Sequence, residues 1–248
     1  MGQTLALLAA DSKDLSLVGL LERTDSDAIG NIVADCTITS DIIAGLTGAQ
    51  VAVDFSAPTA TVALTKTAIE LGVALVVGTT GLNAEQESAL REAAKKIAVV
   101  YSGNYSLGVN VLATLVERAA AALSPELFDL EIFETHHGAK IDAPSGTALL
   151  LGRAGAAGRD QNLDDVMVPA RHGHTGTREK GAIGFSVARG GDVAGEHTVF
   201  FFGPQERLEL THRASNRMIF ARGALHAARW VANQPPGLYS MQDVLGLS

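Results

Sequence analysis

The sequence predicts an α/β protein in two parts, a first domain built on a parallel sheet and a second, α+β domain built on a largely antiparallel or mixed sheet. Over the first hundred residues, helical patterns alternate with short β-rich runs, the mark of βαβ units. From about Asp129 strand-like segments recur with one clear helix between them, which suits a mixed sheet. An amphipathic helix then returns at Met218–Ala232. The division expected is residues 1–107 with 217–248 for the first domain and 108–216 for the second.

In chain order, Gln3–Ala10 reads as a helix and Leu15–Leu21 as a strand ending in Glu22-Arg23. Val51–Phe55 is a strand and Pro58–Leu71 a helix. Val73–Val77 is almost wholly apolar, as a strand covered on both faces must be. Gly78-Thr79-Thr80-Gly81 follows, then a helix through Lys96, a strand at Ile97–Tyr101, and the run Asn104–Gly108 into a long helix ending near Leu123. The second domain should hold strands at Leu130–Thr135, Val166–Ala170, Gly184–Ala188, His197–Phe202 and Arg207–His212. Pro235-Pro236-Gly237 breaks the returning helix, and Met241–Leu247 forms a short final one.

Bulk properties narrow the function. A chain of 248 residues, 47% hydrophobic, can bury a substantial core. A net charge of −8 argues against a wide nucleic-acid footprint. The single cysteine, Cys36, forms no intrachain disulfide framework and fits a reducing compartment. No apolar run approaches the roughly 18 residues of a membrane span, so the expected location is cytoplasmic, without membrane association.

The most informative stretch is Glu134-Thr-His136-His137-Gly-Ala-Lys140-Ile-Asp142-Ala-Pro-Ser145-Gly146-Thr147-Ala148. It joins two imidazoles and an ammonium, groups that move protons near neutral pH, to a helix start. A helix N-terminus of Ser, Gly and Thr offers backbone N–H groups and a dipole end to an anion. The combination suggests a pocket that holds a carboxylate-bearing substrate and protonates it. Neighbouring His side chains in an extended segment point to opposite faces, which disfavours a shared metal ion, and no metal site is expected. A surface loop with chance histidines is the plainer alternative, weakened by the order of groups directly after an apolar strand.

The first domain carries most of a dinucleotide-binding pattern. Glu22 ends the expected second strand twenty residues after Gly2, the offset at which a carboxylate binds a ribose hydroxyl. Met1-Gly2 reads as the tail of a Gly-x-x-Gly-Arg-Met-Gly loop whose earlier part, with the first strand, is expected to be missing, which would weaken dinucleotide binding.

At these residues the chain resembles the dihydrodipicolinate reductase family over essentially its whole length. The block His136-His137-x-x-Lys140-x-Asp-Ala-Pro-Ser-Gly-Thr-Ala carries most of the likeness. Leu21-Glu22-Arg23, Asp54-Phe55-Ser56, Gly78–Gly81, Asn104-Tyr105-Ser106, Gly173–Gly176, Gly195–Thr198 and the ending Met241–Leu245 support it. The resemblance implies a Rossmann-type domain plus a substrate and oligomerisation domain, and NADH- or NADPH-dependent reduction of a cyclic unsaturated dicarboxylate in lysine and diaminopimelate synthesis. It implies His136 as general acid/base, Lys140 as proton donor, and His137, Gly146 and Thr147 as substrate contacts. Met1, Glu22, Arg23, Gly78, Thr79, Thr80, Ser102, Gly103, Asn104 and Tyr105 would meet the cofactor. A homotetramer is implied as well.

Two other functions fit parts of the pattern: a cofactor-deficient homologue that binds a dicarboxylate without efficient turnover, and a dehydrogenase of sugars or aldehydes. The anion-ready spacing of Lys140 and Thr147 argues against the second. Arg189-Gly-Gly-Asp192 reads as a tight turn, Gly173–Gly176 as an active-site connection or a plain loop, and His212-Arg213 as packing or interface. Motion between the domains is expected to hinge near Tyr105–Val109 and Ala214–Met218.

Overall fold

The structure is a computed structural model that describes residues 1–247. The chain forms two compact units, residues 1–107 with 218–248 and residues 108–217.

The first unit opens with helix α1 (Gly2–Ala10), followed by the short strands β1 (Leu20–Leu21), β2 (Ile32–Val33) and β3 (Cys36–Thr39) and by helix α2 (Ile42–Leu46). Strand β4 (Val51–Asp54), helix α3 (Pro58–Leu71), β5 (Ala74–Val77), α4 (Ala84–Ala93) and β6 (Ala98–Tyr101) then alternate as expected. Local chemistry sets the boundaries. Pro58 stands in the first turn of α3, and Gly72 ends it in the left-handed region at φ 68°. Asn83 and Gln86 close a reciprocal capping box at the start of α4. Strand β5 contributes Leu75, Val76 and Val77, all fully buried. Each such side chain is worth about 1.5–3 kcal/mol relative to exposure.

The second unit begins in helix α5 (Leu107–Ala122) and continues with β7 (Asp129–His136), α6 (Gly146–Ala157), α7 (Leu163–Val166), β8 (Met167–Val168), β9 (Ile183–Arg189), β10 (Gly195–Gly203) and β11 (Glu206–Ala214). Its five-stranded sheet has the order β11-β10-β7-β9-β8. The β11-β10-β7 pairings are antiparallel and those of β7-β9-β8 parallel, so the sheet is mixed. Leu130, Ile132, Phe185, Val199 and Phe201 fill one face together with Leu112 and Val116 of α5 and Leu151 of α6.

The chain then completes the first unit with α8 (Met218–Val231), β12 (Gly237–Tyr239) and α9 (Met241–Leu245). Strands β12-β6-β5-β4 form an all-parallel sheet. Ala221, Ala224, Ala228 and Val231 of α8 pack on it with Leu5 and Ala9 of α1. Gly223 permits this approach, since a Cβ there would lie 1.7 Å from the carbonyl oxygen of Tyr105.

Several expectations need correction. Leu15–Leu21 shrinks to Leu20–Leu21, because the ladder to β3 covers only those two residues. Val166–Ala170 shrinks to the two-residue strand Met167–Val168, with Val166 ending a preceding helical turn, Leu163–Val166, capped by the Asn162 side chain on the Asp164 N–H. The sequence reading assigned nothing to β2, β3, α2 or β12. The single sheet expected of the first unit is two: β1-β3-β2 is separate, and among the described residues no strand pairs with the second edge of β1 or of β4.

Candidate active site

Strand alternation builds the centre of the second unit. Along β7 the residues Leu130, Ile132, Glu134 and His136 are all buried, so the two polar groups continue the face that the apolar ones begin. Glu134 is only 1% exposed. Its carboxylate accepts two hydrogen bonds from the Arg189 guanidinium, at 3.0 and 3.2 Å, and one from the Ser145 N–H at 2.8 Å. It also meets His136 Nδ1. Burial raises the Glu134 pKa, but Arg189, the Ser145 amide and His136 outweigh it and hold the carboxyl below its usual range. Burial pushes the His136 imidazole down, Glu134 opposes this, and the balance lies below the ordinary value.

A second imidazole, His197 of β10, stands edge-on to His136 with ring centroids 5.1 Å apart. Its Nε2 lies 3.2 Å from Ser145 Oγ, and burial pushes its pKa down to about 4. Glu134, His136 and His197 bring donor atoms within 4.8 Å of one another. The carboxylate is already shared among three partners, one of them a guanidinium that repels cations. The cluster is therefore a hydrogen-bonded network.

The loop after β7 carries Lys140, whose ammonium donates to Asp142 Oδ1 at 2.7 Å. Arg189 also donates to the Asp142 carbonyl at 2.8 Å, which ties this loop to Glu134. Ser145 caps α6 by accepting from the Ala148 N–H at 3.1 Å. Gly146 and Thr147 are thereby the first two residues of a twelve-residue helix, at the end where the dipole favours an anion. The Arg189-Gly-Gly-Asp192 turn also has a part in this: the Gly190 N–H donates to the His136 carbonyl, and the His137 N–H donates to that of Val193. The structure thus gathers His136, Lys140, Gly146 and Thr147 around one short loop, with His137 half-buried beside them.

Glu134, Arg189 and His197 were missed as site residues. For Glu134 the signal was present, since Glu-x-His in a strand puts both side chains on one face. Arg189 and His197 sit on other strands, and only the register that sets His136 opposite Arg189 and Glu134 opposite His197 brings them in.

In the first unit, three loops leave the carboxyl ends of adjacent parallel strands, where α/β sheets bind ligands. They carry Phe55-Ser56 after Asp54, Gly78–Gly81 and Ser102–Tyr105. Thr79 is buried, with its hydroxyl bonded to Asp54 and accepting from the Ser56 N–H, while Thr80 and Gly103 are exposed and Gly78 half-buried. Ser102 Oγ and Asn104 Oδ1 accept from the Asn104 and Ser106 N–H groups and shape the last loop. The Tyr105 phenol lies between the carbonyls of Val77 and Val100, at 2.9 and 3.0 Å, and burial pushes its pKa up. The side chains of Thr79 and Tyr105 are thus committed to the interior, and their backbone remains for ligand contact. Glu22 directly follows β1 and is exposed, as are Arg23 and Met1. Arg23 pairs with Asp25 at 3.3 Å in open solvent.

Residues 1–105 match the family model described as Dihydrodipicolinate reductase, N-terminus, and residues 108–245 match its C-terminus counterpart. The 4-hydroxy-tetrahydrodipicolinate reductase of Brucella abortus (strain 2308) is 48% identical over 256 residues, spanning 100% of this chain and 96% of its own length. That of Methylocella silvestris is 49% identical over 255 residues, spanning 100% and 93%. Among solved structures, a dipicolinate-bound dihydrodipicolinate reductase from Paenisporosarcina sp. TG-14 shares the fold with a TM-score of 0.80 at 22% identity, covering 98% of this chain and 94% of that one.

Proposed function

Because the chain belongs to the dihydrodipicolinate reductase family, we propose that it reduces a cyclic unsaturated dicarboxylate, dihydrodipicolinate or 4-hydroxy-tetrahydrodipicolinate with loss of its hydroxyl as water, to tetrahydrodipicolinate with NADH or NADPH, in lysine and diaminopimelate biosynthesis. The observation that carries this is the near-half identity with named reductases over alignments that span the entire chain.

The residues of the first unit fit a dinucleotide. Gly78, Thr79 and Thr80 with Ser102, Gly103, Asn104 and Tyr105 would hold the nicotinamide half, Glu22 the adenosine ribose, and Arg23 a 2′-phosphate where one is present. Met1 belongs to the same set. When bound, the nicotinamide supplies the hydride. The second unit is assigned the dicarboxylate. One substrate carboxylate docks at the Gly146 and Thr147 amides, and His137 contacts the ring. As negative charge develops along the conjugated carbon–nitrogen system, the Lys140 ammonium neutralises it by proton donation, and His136 acts as the acid/base beside it.

The open face of the five-stranded sheet supports a homotetramer. Phe133 and Phe202 are each about 40% exposed there, and Arg207 lies over the rings of Phe200 and Phe202 at 5.8 and 5.7 Å. Among the described residues no helix is long and apolar enough to cross a membrane, which is compatible with a cytoplasmic enzyme.

Titration with pyridine-2,6-dicarboxylate tests the substrate assignment. Inhibition should be competitive with substrate, and Lys140→Ala should weaken it. An affinity indifferent to Lys140 would contradict the assignment.

A further inference from the structure

A carboxylate buried two residues before the acid/base imidazole needs a reason. Burying an ionised group costs several kcal/mol unless partners replace its water. Glu134 has such partners in Arg189, the Ser145 amide and His136, so it stays ionised inside the unit. An ionised carboxylate only accepts hydrogen bonds. The contact with His136 Nδ1 therefore places the proton of the neutral ring on Nδ1 and leaves Nε2 as the acceptor.

The surroundings of Nε2 agree. Gly195 lies against it: a Cβ at that position would come within 2.9 Å of Nε2. Gly195 also has φ 148°, a conformation that favours glycine. The backbone of β10 thus leaves open the one ring nitrogen that Glu134 does not engage. Arg189 fixes the other side of the carboxylate, and through the Asp142 carbonyl it holds the segment that carries Lys140.

We propose that Glu134 is a positioning residue that holds His136 in the Nδ1–H tautomer with Nε2 presented for proton transfer, and that Arg189 clamps this pair to the Lys140 loop. The role in turnover rests on the reductase reading; the state of the ring does not.

The charged and titratable groups around His136 are Glu134 on its own strand, Lys140 in the following loop, Arg189 at the end of β9 and His197 on β10. Of these only Glu134 favours the imidazolium. Its replacement by an uncharged isostere should make the ring harder to protonate.

Long-range ¹⁵N–¹H correlation spectra of the labelled full chain, without ligands, read this directly, with His136→Asn to assign the resonances. In the native chain the neutral His136 ring should show a protonated Nδ1 and an unprotonated Nε2. In Glu134→Gln its midpoint should fall by at least about one pH unit, and in Glu134→Asp it should move back towards the native value. Turnover of Glu134→Gln should drop on the order of 10²-fold or more, mainly in kcat, with KM for the dicarboxylate little changed. An Nε2–H tautomer in the native chain overturns the proposal without any variant being needed. An unmoved midpoint in folded Glu134→Gln, or turnover equal to the native chain's, overturns it as well. Failure of the native chain to reduce the dicarboxylate would strike the substrate assignment, and the tautomer and midpoint would still decide whether Glu134 sets the state of His136.

Discussion

The Thr79 hydroxyl donates to the Asp54 carboxylate at 3.1 Å, joining the loop after β5 to the end of β4. Asp54 accepts from Ser56 Oγ and Thr61 Oγ1 as well, each at 2.5 Å, and is itself only 5% exposed. One carboxylate thus anchors the Gly78–Gly81 loop, assigned to the cofactor, to the end of β4 and the start of α3. Asp54→Ala would leave the Thr79 and Ser56 hydroxyls without this acceptor and Thr61 with only the Ala57 carbonyl. We expect a stability loss of about 1–3 kcal/mol by urea unfolding, and a KM for NAD(P)H raised more than that for the dicarboxylate. Equal effects on both KM values would contradict a role in shaping the cofactor loops.

The acid/base assignment predicts a large loss in two single variants. His136→Ala and Lys140→Ala should each lower turnover on the order of 10²–10⁴-fold, with circular dichroism and thermal unfolding showing a folded chain. Near-native turnover in both would remove them from the mechanism.

His197 makes stability depend on pH. Its folded pKa is pushed down to about 4, whereas an unfolded histidine titrates near 6.5. Below pH 6.5 the unfolded chain takes up a proton that the folded one refuses until about pH 4. Stability should therefore fall as pH drops through this window and this contribution should level off below it, with a loss on the order of 3 kcal/mol. His136, also held below its ordinary value, acts in the same direction. Urea unfolding at several pH values should show a shallower decline for His197→Gln, and an identical slope would contradict the prediction.

The loop between β8 and β9 depends on Arg178. That guanidinium donates to Glu131, Asp129 and the carbonyls of Leu130 and Ala182, while Arg171 makes two further bonds to Glu131. Together they line a cavity of about 600 Å³ with Thr175 and Gly176. Arg178→Ala should release residues 169–182, seen as faster amide exchange there and a stability loss of about 1–3 kcal/mol. Unchanged exchange would mean that the Arg171 pair suffices.

Legibility in the sequence followed the physics of each element. Helix α3 was read at its true bounds because Pro58 and Gly72 mark both ends, and β5 because its apolar run is covered on both faces. Strands β2, β3 and β12 do not show in the sequence, since none carries an apolar run like that of β5 and pairing alone defines them. Lys140, Gly146 and Thr147 announced themselves by lying in one segment. Arg189 and His197, 55 residues from Glu134 and 52 from Ser145, become partners only through sheet register.

The central claim is most directly tested by following NADH or NADPH absorbance as the purified chain is given freshly generated 4-hydroxy-tetrahydrodipicolinate. Substrate-dependent oxidation of the nucleotide is predicted, abolished or strongly reduced in Lys140→Ala and suppressed by pyridine-2,6-dicarboxylate. Oxidation that persists unchanged in Lys140→Ala, or no oxidation with either nucleotide in the folded native chain, would contradict the account.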